Sequence, residues 1–263
     1  AEAIWAFRDV HRAAVFGHPM SEGQVAKLLQ KELDLAWPAA CVLAVSETER
    51  EVFRRGGYVD VRILSHAVPA CPAETTFSER ADILFVGALF TAGSPNVDSM
   101  VWFVEKVMPL LRRANLDAKL IVAGRNDALP RSFASRSDVV LLGRVDDLSA
   151  WYAKCRIFVA PTRFSAGIPL KIVEAAGYGL PVVATSLLAR QLSWNDGAEI
   201  LVGDDPGTFA RQCLRLYREP DLWATVQAAA LQRINREYSR DCFHNAVAAL
   251  LADYPSVRRR LEG

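Results

Sequence analysis

One segment, residues 157–184, constrains the fold of this chain more than any other. It contains two short apolar runs, at 157–160 and 180–184, each of a length that fits a buried strand. Between them a loop of small residues leads into Pro169, whose fixed φ and missing N–H suit the first position of a helix. A helix is expected to follow and to end at two glycines. The segment therefore predicts a strand, a loop, a helix and a second strand.

Strands and helices alternate along the rest of the chain as well. Apolar runs predict further strands at 83–86, 119–123, 139–142 and 199–202, and helical spacing predicts one long helix over 97–111. Strands that alternate with helices indicate the α/β class, with a doubly wound, Rossmann-like parallel sheet buried on both faces.

The residues before this sheet indicate a partial N-terminal α/β segment. Its predicted elements are a strand at 4–10, a helix at 21–35, a strand at 40–45, a helix that begins with a Ser46–Glu49 capping box, and a strand at 59–64. We expect three units: the residual segment with its linker at 1–72, the Rossmann-like unit at 73–239, and a last helix with a basic tail at 240–263.

The composition excludes several classes of function. The chain has 263 residues and a net charge of +1, which gives no electrostatic basis for binding nucleic acid. Its five cysteines show neither metal-ligand nor redox spacing, so we expect free thiols in a reducing compartment, the cytoplasm. No apolar run approaches the ~18 residues of a membrane-spanning helix and no signal peptide is visible, which leaves only peripheral contact with a membrane open.

The start of the helix after Pro169 is a candidate site for a phosphate or diphosphate. Unpaired amides and the positive end of the helix dipole meet there, beside a loop with few side chains. Lys171 would add a positive charge, and Glu174 lies roughly 7.5 Å along the axis, about the distance from a diphosphate to its ribose. The same spacing also fits an ordinary surface helix with a weak Lys171–Glu174 ion pair, so spacing alone leaves both interpretations open.

This segment resembles the signature of the retaining glycosyltransferases of family 4, also called group 1, which have the two-domain GT-B fold. The residues that carry the resemblance are Gly167, Pro169, Leu170, Glu174, Ala175, Gly179, Pro181, Val182, Val183, Ala184 and Thr185. Many members have an earlier glutamate near the donor sugar, at the position of Ala166 here. The sequence is similar to a branch that lacks this carboxylate.

The resemblance implies transfer of a sugar, with retention, from a nucleotide-diphosphate sugar to a glycan, lipid-linked or other acceptor. UDP-, GDP- and dTDP-sugars stay open as donors; no tightly bound cofactor and no metal ion is expected. The implied catalytic residues are Lys171, Glu174 and, from an Asp-x-His element, His11. Amides of the loop would stabilise the leaving diphosphate. The donor contacts expected around the helix start are Arg163, Phe164, Ser165, Ala166, Gly167, Ile168, Pro169 and Leu170.

Three further loops follow predicted strands, at the edge where open parallel sheets bind ligands. The first offers contacts from Gly87, Gly93, Ser94 and Asn96 but lacks the basic residue that the family has there, so we assign its task to Lys171 and Arg163. The other two would line the base pocket, and their expected contacts are Gly124, Arg125, Gly143, Arg144 and Val145. Their arginines fit a stacking or phosphate-binding role and equally fit exposed loop residues.

Other functions remain as alternatives. A sugar-nucleotide 2-epimerase of the same fold would need acid and base residues in both domains, and these are not visible. A nucleotide-sugar-binding module without turnover fits a chain that lacks most of the acceptor half, which normally has ~150 residues. A truncated enzyme of this kind would need the absent residues for full activity. A Rossmann dehydrogenase is disfavoured, because no Gly-x-Gly-x-x-Gly follows the first strand of the sheet.

Overall fold

A computed structural model describes residues 3–254. Its first part consists of helices α1 (Trp5–Val15) and α2 (Glu22–Ala36), strand β1 (Val42–Ala44), helix α3 (Glu47–Arg55) and strand β2 (Val61–Ile63). Strands β1 and β2 pair in parallel and form a small sheet of their own. The core of this part is apolar and contains Ile4, Ala6, Leu33, Val42, Ala44, Phe53 and Val61.

The second part contains the predicted sheet and its helices. In chain order these are β3 (Ala81–Val86), α4 (Pro95–Trp102), α5 (Met108–Arg113), β4 (Leu120–Ala123), β5 (Val139–Gly143), α6 (Ser149–Lys154), β6 (Cys155–Ala160), α7 (Leu170–Gly177), β7 (Val182–Ala184), α8 (Ser186–Leu192), β8 (Leu201–Val202), α9 (Pro206–Arg218), α10 (Pro220–Glu237) and α11 (Arg240–Asp253). Short 3₁₀ turns lie at Phe77–Glu79 and Arg131–Phe133.

The predicted doubly wound sheet is confirmed. Its six strands are all parallel and follow the order β5-β4-β3-β6-β7-β8. The strands β3, β4 and β5 follow one another toward one edge of the sheet, and β6, β7 and β8 follow one another toward the other edge. The boundary between β3 and β6 is therefore the topological switch point, where open sheets bind their ligands. Alternate residues of each strand enter opposite cores: Phe85 packs on one face and its neighbour Leu84 on the other. Both faces are therefore covered.

The predicted strand at 4–10 is wrong, because these residues form most of α1. The reason lies outside the local sequence. The Glu32 carboxylate, on α2, accepts hydrogen bonds from the amides of Trp5 (2.8 Å) and Ala6 (2.6 Å). These are two of the amides that a helix start leaves without a partner, so a side chain from the next helix caps α1.

Two further local predictions need correction. Ser46 caps α3 by accepting from the Glu49 amide, but the Glu49 carboxylate bonds to the amides of Ile4 (3.0 Å) and Val45 (3.4 Å), so the reciprocal half of the capping box is absent. The single helix predicted over 97–111 contains a π turn at Phe103–Val107. Pro109 accounts for that turn, because it has no N–H to donate to the preceding turn of helix.

The last helix returns to the N-terminal sheet. Asp253 forms an ion pair with Arg62 at 2.6 Å, and the Tyr254 hydroxyl donates to the Asp60 carboxylate at 2.5 Å. The hydrogen bond to Asp60 raises the pKa of Tyr254, and the hydrogen bonds from Arg62 and Tyr254 lower the pKa of Asp60, each relative to its ordinary value. The predicted basic run at 258–260 lies outside the described residues. Within residues 3–254, no helix is both long and apolar enough to cross a membrane.

Candidate functional site at the switch point

The loops that follow β3 and β6 flank the switch point and are joined by polar contacts. The Ser99 hydroxyl donates to that of Thr162 at 3.1 Å, and the Lys171 ammonium donates to the side-chain oxygen of Asn96. Arg163 donates to both carboxylate oxygens of Asp98, at 2.9 and 2.5 Å. All three contacts link the β3 side to the β6 side. They hold the β3 side and the β6 side in one arrangement relative to each other.

The loop between β6 and α7 contains four consecutive backbone amides without a hydrogen-bond partner among the described residues. The amides of Ser165, Ala166, Gly167 and Ile168 donate no hydrogen bond to another residue in the described part of the chain. Helix α7 begins at Leu170, so Pro169 precedes the helix and does not occupy its first position as predicted. Four free donors at the N-terminal end of an eight-residue helix form an arrangement that favours an anion.

Lys171 points into the protein, away from Glu174. Its Nζ atom lies 4.6 Å from the centre of the Phe85 ring and donates to Asn96. The residue is half-buried, and desolvation of its ammonium group lowers the pKa of Lys171 to about 7. Lys171 and Glu174 therefore do not form the surface ion pair that the spacing alone allowed. The ammonium instead lies at the switch point, in contact with Asn96 and Phe85.

Glu174 lies on the exposed side of α7, next to two stacked tyrosines. The rings of Tyr152 and Tyr178 are 4.7 Å apart and nearly parallel, at 12°. Partial burial raises the pKa of Glu174, and the nearby Tyr152 hydroxyl opposes this effect. Burial, with a contribution from the Glu174 charge, raises the pKa of Tyr152. The Tyr152 hydroxyl is buried and has no hydrogen-bond partner among the described residues. The carboxylate thus keeps free acceptor positions toward solvent.

The loops after β3, β4 and β5 meet at the same edge. Gly124 has a φ of +129° and donates from its amide to the carbonyl of Gly143 at 2.7 Å. A Cβ atom on Gly124 would lie 2.0 Å from the carbonyl oxygen of Gly87, so no larger residue fits. Asn96 fills the space beside Gly87 and donates to the carbonyl of Ala88. The predicted contacts Gly87, Asn96, Gly124 and Gly143 are therefore neighbours in space.

The two arginines of the predicted base pocket lie on the surface. Arg125 pairs with Asp127 at 2.6 Å and covers the Phe90 ring, while Arg144 pairs with Asp146 at 3.3 Å. The Arg144 pair is almost fully exposed, at 87% and 90%, so it contributes little to stability and leaves the arginine free to move. Val145 beside it is half-buried. Both interpretations of these arginines thus stay open.

Two predicted contacts need revision. Arg163 was assigned a free positive charge, but its two hydrogen bonds to Asp98 largely neutralise it. The Phe164 side chain is buried, 1% exposed, and packs edge-on against Phe16 with ring centres 6.0 Å apart. Phe164 can therefore offer a ligand only its backbone. Sequence reasoning could not find either partner, because Asp98 and Phe16 lie far away along the chain.

Helix α1 supplies His11 and a residue that sequence reasoning missed. His11 Nδ1 lies 3.2 Å from the carbonyl oxygen of Ser165, which brings the predicted histidine against the loop. The next residue, Arg12, extends to Gly93, with its Nη2 atom 3.4 Å from where a Cβ would stand. A cavity of about 220 Å³ lies beside His11, and one of about 880 Å³ lies beyond Ile168; both are lined by Gly167. The loop thus separates two spaces.

Ser94, one of the predicted donor contacts, also has a structural role at the start of α4. Its hydroxyl accepts from the Val97 amide and caps α4. We expect Ser94→Ala to lower the free energy of unfolding by about 1 kcal/mol, because one helix amide loses its partner. Chemical denaturation measures the change, and the exposed Ser137→Ala serves as the control. Equal stability of the two variants would contradict the capping role.

The described residues 3–254 hold no group of three or more His, Cys, Asp or Glu side chains placed to bind a metal ion. Their cysteines are all free thiols. Burial raises the pKa of the Cys155 and Cys213 thiols, which are enclosed in the two cores. The charged and polar groups around the switch point include loop amides, the Lys171 ammonium, the Glu174 and Asp98 carboxylates, the His11 imidazole and loop arginines. This set suits an anionic ligand with hydroxyl groups.

A parallel sheet with such a site at its switch point defines the class of protein: the fold is that of a GT-B glycosyltransferase. The chain belongs to the family Glycosyl transferases group 1, which it matches over residues 80–219. This range contains β3 to α9, and so the whole six-stranded sheet and every candidate site residue except those on α1.

Solved structures share the fold at low sequence identity. TarM superposes with a TM-score of 0.71 at 15% identity, over 89% of this chain and 47% of TarM. HepE from Anabaena, solved in complex with UDP-glucose, gives 0.68 at 15% identity over 94% of this chain and 71% of HepE. Sucrose-phosphate synthase from Thermosynechococcus elongatus gives 0.68 at 16% identity over 93% of this chain and 66% of that protein.

A curated relative is similar in sequence. An uncharacterised 44.6 kDa protein in the cps region of Klebsiella pneumoniae is 27% identical over 142 residues, which are 51% of this chain and 36% of the relative. This chain thus matches about a third of the Klebsiella protein's length and about half of TarM's.

Proposed function

We propose that this chain contains the donor-binding half of a retaining family 4 glycosyltransferase. It would transfer a sugar from a UDP-, GDP- or dTDP-sugar to a glycan, lipid-linked or other acceptor. In this proposal residues 1–72 are the end of the acceptor-side domain with its linker, and residues 73–239 bind the donor. Residues 240–263 cross back to the acceptor-side domain. The contacts of Asp253 and Tyr254 with the N-terminal sheet support the last assignment.

One observation carries the proposal. The amides of residues 165–168 have no partners at the start of α7, and the free carboxylate of Glu174 lies further along the same helix. This spacing fits a diphosphate at the amides and a ribose at the acid, since an ionised carboxylate can accept from both ribose hydroxyls. HepE, a protein of the same fold, was solved with UDP-glucose, which supports a nucleotide sugar as the donor.

The proposed chemistry follows from where charge develops. As the bond from the sugar's anomeric carbon to the diphosphate oxygen breaks, positive charge grows on the sugar and negative charge on the diphosphate. The amides of residues 165–168 and the Lys171 ammonium would stabilise that negative charge. His11, held by the Ser165 carbonyl, would face the sugar from the other side of the loop. These residues bind and orient the donor. The acceptor oxygen forms the new bond to the anomeric carbon, and its hydroxyl proton passes to the leaving diphosphate oxygen.

Calorimetric titration with UDP, GDP, dTDP and ADP tests the proposal. We expect one of these to bind clearly more tightly than the others, with a stoichiometry of one. If none binds, the donor-site assignment is wrong. A second experiment separates a transferase from a binding module without turnover. It measures product formation by a protein that also contains a complete acceptor half.

A further inference from the structure

Helix α1 places two adjacent side chains, His11 and Arg12, at the switch point. His11 bonds to the Ser165 carbonyl, which fixes the helix against the loop after β6. The Arg12 guanidinium lies 6.0 Å from the centre of the Phe164 ring and next to Gly93 in the loop after β3. One helix from the N-terminal part thus contacts both loops that flank the switch point.

Arg12 differs from the other arginines nearby in having no anionic partner. Arg163 is held by Asp98, and Arg8, one turn earlier on α1, pairs with Asp9 at 3.2 Å. Arg12 forms no ion pair with any residue of the described range 3–254, and its side chain is exposed. Its planar group rests over an aromatic ring, which orients it without neutralising its charge.

The loop beside Arg12 carries no positive charge of its own. Residues 87–96 contain neither lysine nor arginine, although this loop leaves β3 at the switch point. Gly93 has a φ of +70° and no side chain, so an anion can approach the backbone there. Arg163 is neutralised, and the Lys171 ammonium is enclosed between Asn96 and Phe85. Arg12 is therefore the exposed, unpaired cation next to this loop.

We propose that Arg12 binds the diphosphate of the nucleotide donor, across the Gly93 loop from the free amides of residues 165–168. The inference rests on the proposed function and adds a residue from outside the six-stranded sheet. A guanidinium suits this task because its N–H groups can bond two phosphate oxygens at once. The donor would then contact the N-terminal part and the sheet together, so its binding would also stabilise their packing.

The test compares Arg12→Ala with Arg8→Ala, an arginine variant on the same helix. The ligands are the tightest-binding of UDP, GDP, dTDP and ADP and the matching monophosphate. We expect Arg12→Ala to weaken diphosphate binding about tenfold, the effect of losing a charge-assisted hydrogen bond, and monophosphate binding by less than about twofold. Arg12→Lys should recover part of the loss, and Arg8→Ala should bind like wild type.

The outcomes separate the two proposals. If wild type binds a diphosphate and Arg12→Ala binds it equally well, the Arg12 assignment is wrong and the donor site stands. An equal loss for diphosphate and monophosphate would also overturn it, because the effect would then not arise at the second phosphate. Thermal unfolding of Arg12→Ala without ligand shows whether the variant folds; Arg12→Gln repeats the comparison if it does not. If wild type binds none of the four, both proposals fail.

Discussion

Glu174→Ala is expected to weaken nucleotide binding by about 1–3 kcal/mol, or roughly fivefold to 150-fold. The carboxylate lies on α7 with free acceptor positions, and its loss would remove charge-assisted hydrogen bonds to the ribose. Titration calorimetry with the tightest-binding nucleoside diphosphate measures the change. Glu105→Ala, which removes another exposed carboxylate from a helical segment far along the chain, is the matched control.

A ligand without ribose hydroxyls makes this experiment specific. Wild type should bind the 2′,3′-dideoxy form of the same diphosphate as weakly as Glu174→Ala binds the normal form. The variant itself should not distinguish the two ligands, because the interaction has already been removed on the protein side. A variant that still discriminates between them would place the ribose elsewhere and remove Glu174 from the site.

Binding of the donor is expected to be tightest below pH 7 and to weaken as the pH rises through 7, because Lys171 loses its charge. Burial lowers the pKa of Lys171 to about 7 in the free protein, and an anionic ligand beside it would raise this pKa. Between the two pKa values, binding must take up a proton. Calorimetry at pH 8.5 in buffers of different ionisation enthalpy should show an uptake of up to about one proton.

The ligand and the variants decide which group is responsible. A nucleotide sugar is used because its diphosphate carries no group that titrates near neutral pH. Lys171→Met should lower the affinity at pH 6 by about 2 kcal/mol, roughly 30-fold, and abolish the proton uptake. His11→Gln should keep the uptake. If the uptake persists in Lys171→Met and disappears in His11→Gln, the histidine is the titrating group and the assignment to Lys171 is wrong.

The sheet could be predicted from sequence because its signals are local. Each strand of a parallel sheet covered on both faces is an apolar run, and each connection carries its own turn residues. Helix α1 could not be predicted, because Glu32 caps it from the following helix. The π turn could not be predicted for a different reason. The spacing of apolar residues indicates a helix but does not reveal the hydrogen bond that Pro109 cannot make.

The candidate site could be predicted in position but not in its charges. Ligands bind at the edge of a parallel sheet where its strands end, and the apolar runs in the sequence show which residues come directly after each strand. Whether a cation is free depends on partners that only folding brings close, such as Asp98 for Arg163 and Asn96 for Lys171. One signal did exist for Arg12. Residues 87–96 contain no basic residue, and Arg12 directly follows His11, which is itself a predicted site residue.

The polar contacts across the switch point have a consequence for how this chain could change its specificity. Ser99, Asp98 and Asn96 fasten the two central loops to each other, so a substitution there would disturb both at once. In the loops after β4 and β5, backbone hydrogen bonds fix the main chain, but the side chains of Arg125 and Arg144 form only exposed ion pairs. Under the proposed function, substitution of these two arginines would alter the preference for one nucleobase over another, while the polar contacts that join the β3 side to the β6 side would stay the same.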